Sequence, residues 1–274
     1  MQNKAPIGVF DSGLGGLTVL KEIIKKMPHY DFIYLGDNAR APYGPRSFEA
    51  VYQYTLEAVK WLFDQGCPLV ILACNTSSAK ALRTIQQNDL ALIDPTKRVL
   101  GVIRPTTEVI GDYTETNHIG ILGTKGTVDS CSYVIEIGKS FPEVNVHQQA
   151  CPAWAPMVES GQYHTESAHP VIRECLDALL NQSEKIDTVL LACTHYPLLM
   201  GKIKANLPSG ITVVSQGEIV ATSLLSYLAR HPEMETRLTT KGSISFYTTG
   251  DPDAFDKGAS IFWGQEVDAL RVVL

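Results

Sequence analysis

The chain has 274 residues, 45% hydrophobic and 19% charged, with 21 glycines. That is the length for roughly two domains with a core each, and the composition of an ordinary α/β protein. A net charge of −6 argues against nucleic acid or an anionic membrane as the main partner, and no segment nears the ~20 apolar residues that span a bilayer.

The start of the chain offers no apolar run of signal-peptide length. The six cysteines (67, 74, 131, 151, 175 and 193) form neither a disulfide framework nor a Cys-x-x-Cys metal pattern. A cytoplasmic protein with reduced thiols is expected.

Residues 6–10 read as a first strand, and Asp11-Ser12-Gly13-Leu14-Gly15-Gly16 as a flexible loop at its end. Leu17, Leu20, Ile23, Ile24 and Met27 follow at helical spacing until Pro28 stops the helix. Residues 32–35 form a second strand, which runs into a turn-rich loop from Gly36 to Gly44. A helix over 47–65 buries Val51, Ala58 and Leu62, and Gly66 and Pro68 lead on to Val70-Ile71-Leu72-Ala73-Cys74-Asn75-Thr76. A second unit is expected to open near Val99, with a strand at 99–103, a helix opened by Pro105 and a strand at 118–122. Residues 144–146, Ala150-Cys151-Pro152 and an irregular or short helical stretch at 157–161 come next. A helix over 166–180 then precedes Val189-Leu190-Leu191-Ala192-Cys193-Thr194-His195. The pattern closes with a strand at 211–214, a helix at 218–230, a strand at 243–247, a short helix and a strand at 267–272.

Two segments of the first half recur in the second. The apolar run ending on Cys74 is matched by the run ending on Cys193, and residues 7–12 align without a gap on residues 119–124. Duplication of one unit explains both matches. The expected fold is therefore two similar, pseudo-symmetric α/β domains with mostly parallel sheets and the active site at their interface. The first covers 1–98 plus 213–274 and carries Cys74; the second covers 99–212 and carries Cys193. Both cysteines fall where a buried parallel strand gives way to a helix, the end at which open α/β sheets bind ligands. Helix N-termini at these points favour anions and are expected to lower the thiol pKa.

Cysteine is often a small buried hydrophobe, and Cys67, Cys131 and Cys175 read best that way. Cys151, before a proline in a loop, is open. For Cys74 and Cys193 the polar neighbours favour chemistry, and His195 in the same loop as Cys193 suits an acid–base partner. Asp11 and Glu159 read either as a cap and a solvated carboxylate or as charges at a crevice. The glycines at 13–16 lack nucleotide-binding spacing but supply N–H groups for a carboxylate or phosphate. A zinc site from Cys74, Cys193 and His195 is chemically allowed. A Cys–His hydrolase or transferase would need a single nucleophile and leave one thiol unexplained. Two thiols facing one small substrate explain both: one removes a proton from carbon while the other delivers one from the opposite side.

Residues 11–16, 36–44, Ala73-Cys74-Asn75-Thr76 and Ala192-Cys193-Thr194-His195-Tyr196-Pro197-Leu198 together resemble the glutamate racemases of the cofactor-independent aspartate/glutamate racemase family. Residues 120–128, Ala150-Cys151-Pro152, Val158-Glu159, Ser215-Gln216-Gly217 and Thr249-Gly250-Asp251 fit the same pattern, so the resemblance covers nearly the whole chain. Arg104 departs from it, standing where apolar or acidic residues are usual.

The resemblance implies interconversion of L- and D-glutamate, supplying D-glutamate for peptidoglycan in a bacterial cytoplasm. It also implies a homodimer and catalysis with no pyridoxal phosphate, metal or nucleotide. By the family pattern Cys74 deprotonates D-glutamate and Cys193 L-glutamate, Asp11 and His195 assist them, and Glu159 lies nearby. Asp11, Ser12, Tyr43, Gly44, Asn75, Thr76, Thr124, Thr194 and His195 are expected to hold the substrate. A non-catalytic binding protein and a hydrolase or decarboxylase on the same scaffold are the alternatives.

Overall fold

The computed structural model describes residues 4–274. Among these, ten strands form two sheets in which every described pairing is parallel. The first sheet has the order β10-β9-β2-β1-β3-β4, and contains β1 (Ile7–Asp11), β2 (Phe32–Gly36), β3 (Leu69–Leu72), β4 (Arg98–Gly101), β9 (Ile244–Thr248) and β10 (Ala269–Arg271). The second has the order β6-β5-β7-β8, and contains β5 (His118–Gly123), β6 (Asn145–Ala150), β7 (Thr188–Ala192) and β8 (Thr212–Ser215). The order β2-β1-β3-β4 thus recurs as β6-β5-β7-β8, with the aligned strands β1 and β5 in equivalent places.

Strands β1, β2, β3 and β7 are buried at every residue. A strand covered on both faces gains from apolar residues at each position, so these read as continuous runs rather than alternating ones. Helices cover the sheets. Leu17–Lys26 buries Leu17, Val19, Leu20 and Ile23, and Phe48–Asp64 starts at Ser47, whose hydroxyl accepts from the Ala50 N–H at 3.1 Å.

Several boundaries move. β4 was expected to open the second unit, yet it pairs with β3 in the first sheet, while β8 stays with β7 in the second. The expected divisions at 98/99 and 212/213 therefore fall at β4 and β8 themselves, since an apolar run does not say which sheet its hydrogen bonds join. The chain turns helical at Ile103–Thr107, ahead of Pro105, and Trp154–Glu159 is a helix. The helices Lys125–Asp129 and Ser132–Ser140 had no counterpart in the sequence reading. Between them Cys131 adopts a left-handed backbone with φ of 53° and is exposed, so it is not the buried hydrophobe expected.

Candidate active site

In each sheet the connections on either side of one strand leave in opposite directions: β1 lies between β2 and β3, and β5 between β6 and β7. Such reversals open a crevice at the carboxyl ends of the strands. In the first sheet the loops there carry Ser12 and Cys74, and in the second they carry Thr124 and Cys193. The two crevices face each other. One cavity is lined by Cys74, Asn75, Thr76, Ser12, Tyr43 and Gly44 from the first half, and by Cys193, Thr194, His195, Thr124 and Glu159 from the second. Ala41 and Pro42, within the 36–44 motif but not singled out as site residues, and Ala155, which no sequence signal marked, complete its wall. Asp11 lies outside this lining, buried beneath the loop of Ser12.

Close packing of the two halves depends on Gly15. A Cβ at that position would come within 2.2 Å of Thr194 Oγ1 and 2.5 Å of His195 Nδ1. The same loop is pinned across the interface by Thr18, whose hydroxyl donates to the Thr194 carbonyl at 2.9 Å.

On the first side, Cys74 precedes the helix Asn75–Lys80. Its sulfur accepts from the Ser77 N–H at 3.4 Å, and its thiol lies 3.6 Å from Ser12 Oγ. Burial and the nearby Asp11 carboxylate nevertheless push the thiol up to about 11, against the hydrogen bonds from Ser77 and Ser12. The expected lowering at this helix terminus is thus reversed, because desolvation of a thiolate outweighs a short helix's N–H groups. Asp11 accepts from the Gly13 N–H at 2.9 Å through Oδ2, while Oδ1 is buried with no hydrogen-bond partner. Burial raises its pKa, and His195 and the Gly13 and Gly16 N–H groups only partly offset this.

On the second side, His195 Nδ1 lies 3.9 Å from Cys193 Sγ and 3.4 Å from Thr194 Oγ1, and its Nε2 lies 2.9 Å from Glu159 Oε1. Burial alone would lower the imidazole pKa. The hydrogen bonds to Cys193 and Glu159 outweigh it and raise the group to about 10. His195 is therefore an imidazolium at neutral pH, with one N–H toward sulfur and the other toward a carboxylate. The Phe262 ring meets it edge-on at 5.2 Å and closes off solvent there.

The remaining polar groups are held from behind. Tyr43 donates to Asp37 Oδ2, which also accepts from Arg40 Nε at 2.6 Å, and Thr249 donates to Asp37 Oδ1 at 2.7 Å. Thr76 and Thr124 join their hydroxyls across the cavity at 3.0 Å. Zinc finds no donor set: among the described residues no three His, Cys, Asp or Glu side chains converge as metal ligands.

Two thiols that border one cavity, one near a buried carboxyl and the other 3.9 Å from an imidazole nitrogen, form an arrangement suited to proton exchange at a carbon held between them. Residues 8–224 match the profile of the Asp/Glu/Hydantoin racemase family, and the chain belongs to that family. Within it, the chain is 42% identical to the glutamate racemase of Enterococcus faecalis over 97% of its own length and 94% of the relative's. A glutamate racemase isoform from Bacillus anthracis superposes with a TM-score of 0.89 at 34% identity, covering 98% of each chain. The Francisella tularensis glutamate racemase, solved with D-glutamate, gives 0.87 at 30% identity, again over 98% of each.

Proposed function

We propose that this chain interconverts L- and D-glutamate without a cofactor, using Cys74 and Cys193 as the two bases and supplying D-glutamate for peptidoglycan. One observation carries the reading: both cysteines, from equivalent strand ends of the two sheets, border the same cavity. The family and the glutamate racemases it resembles support glutamate as substrate.

Acting on D-glutamate, the Cys74 thiolate takes the α-hydrogen and becomes a thiol, and the bonding pair moves into the α-carbon and its carboxylate. The Cys193 thiol gives its proton to the opposite face, leaving a thiolate and L-glutamate. The reverse reaction exchanges the roles. Asp11 beside Cys74 and the imidazolium of His195 beside Cys193, itself anchored by Glu159, reset the protons between turnovers. Negative charge developing on the substrate needs fixed donors in a dry site. The hydroxyls of Ser12, Thr76, Thr124 and Thr194, the amide of Asn75 and the loop N–H groups, including that of Gly44, provide them, while Tyr43, whose hydroxyl donates to Asp37, shapes the wall.

The reading extends to a homodimer in the bacterial cytoplasm, with no nucleic-acid or membrane partner. The sequence resemblance supports the assembly and setting, and no helix among the described residues is long and apolar enough to cross a membrane. The test is proton NMR in D2O with chelator and no added cofactor. Either glutamate enantiomer should lose its α-proton signal while the optical rotation falls to zero. Activity that is removed by chelation and restored by zinc, or no exchange at all, would overturn the reading.

A further inference from the structure

At the wall of the cavity lies a closed ring of three side chains, Gln216, Tyr133 and Asn75, of which the chemistry above uses only Asn75. Gln216, Tyr133 and Asn75 are each buried, and they come from three different parts of the chain. Their orientations follow from one fixed point. The Val102 carbonyl can only accept, so the group of Gln216 facing it at 3.2 Å is Nε2, whose two N–H groups are shared among that carbonyl, Thr106 Oγ1 at 2.9 Å and Tyr133 Oη at 2.7 Å. Gln216 Oε1 then points the other way and accepts from Asn75 Nδ2 at 2.8 Å. This turns Asn75 Oδ1 toward Tyr133, whose hydroxyl donates to it at 2.5 Å. Each member donates to the next around the ring, an arrangement in which hydrogen bonds reinforce one another.

The ring's location matters as much as its closure. The chain crosses between the sheets after β4, where Val102 and Thr106 lie, and again after β8, where Gln216 lies. Gln216 thus ties the two crossings to each other and to Asn75, the residue next to Cys74 that lines the cavity. The ring uses the Asn75 amide oxygen and one amide hydrogen. What Asn75 offers the cavity is its second N–H, a donor suited to a carboxylate.

We infer that Gln216 and Tyr133 are positioning residues: they fix Asn75 as a hydrogen-bond donor toward the substrate and lock that donor to the joint between the two halves. The inference rests on the racemase reading, and wild-type enzyme in the same assay separates the two. Wild type without racemisation refutes the reading, whereas an active wild type leaves the inference to its variants.

Tyr133→Phe keeps the ring volume and removes only the hydroxyl, so Asn75 Oδ1 loses its donor and the amide is held by Gln216 alone. KM for both enantiomers should rise about tenfold, the worth of one well-made hydrogen bond, with kcat within about threefold of wild type. In an Asn75→Ala background the same substitution should change KM less than about twofold, because the group it positions is gone. Gln216→Glu, which keeps the shape but cannot donate to the Val102 carbonyl, should raise KM further. An unchanged KM in Tyr133→Phe, or a full tenfold rise that persists in the Asn75→Ala background, overturns the inference. A merely structural role would instead lower melting temperature and active fraction while leaving KM as it was.

Discussion

The two sides of the cavity are built on the same strand order, yet they surround their cysteines with opposite charge. Cys74 is paired with a buried carboxyl that lacks a partner for one oxygen, and its thiol is pushed up to about 11. Cys193 is paired with an imidazole raised to about 10 and tethered to Glu159. One half stores an acid that resists ionising, and the other stores a cation that resists losing its proton. A recurring strand order therefore supplies equivalent positions, while local residues decide the charge at each. This difference cannot appear in the ratio of kcat/KM values for the two directions. Enantiomers have equal free energy in water, so that ratio is one at every pH, and the asymmetry must show in kcat and KM separately.

The largest effect should come from the sulfurs themselves. Serine at Cys74 or at Cys193 should each lower racemisation by about 10²–10⁴-fold, with the far-ultraviolet circular dichroism unchanged. Equal losses keep the comparison as one between two working bases. Near-normal activity in either variant would break it, leaving a single-thiol site.

A smaller effect sharpens the second side. Glu159→Gln can keep an acceptor for His195 Nε2–H but removes the carboxylate charge that helps raise His195. The alkaline limb of kcat/KM should move down by about one pH unit, equally for both enantiomers, since the imidazolium is then lost sooner. An alkaline limb that stays in place would show that Glu159 does not hold the His195 proton. Asp11→Asn should move that limb less than Glu159→Gln does, because Asp11 acts on His195 only through space, without a hydrogen bond to it.

Much of this comparison was legible in the sequence because buried parallel strands are continuous apolar runs, and both runs end on cysteine. Ser12, Asn75, Thr76 and Thr194 were readable too, since they adjoin those ends. What was not legible depends on distance or on desolvation. Asp37 and Thr249, which hold Tyr43, are 212 residues apart, and Asn75 and Gln216 are 141 apart. No local pattern joins them. The placement of β4 was missed because its residues carry no mark of which sheet they pair with. The direction of the Cys74 shift was misjudged because a helix N-terminus is visible in sequence, whereas complete burial beside a carboxylate is not.

The smallest effect concerns stability, where the two sides should differ in sign at neutral pH. Burial raises the Asp11 pKa above its ordinary 3.8, so the native state holds that proton more tightly than the unfolded chain does. Its contribution favours folding most at low pH, below 3.8, and is lost as pH rises through the raised value. His195 is raised from 6.5 to about 10, so its contribution is fully present below 6.5 and lost as pH climbs toward 10. Asp11→Asn should therefore melt about 2–4 °C above wild type at pH 7.5 while losing activity, and the gain should shrink as pH falls toward 4. His195→Asn should melt below wild type at pH 7.5, with the deficit closing by pH 10. Calorimetry of both variants across that range checks the pair. Equal and same-signed shifts would mean that the two proton carriers are electrostatically alike, and that the asymmetry lies only in their geometry.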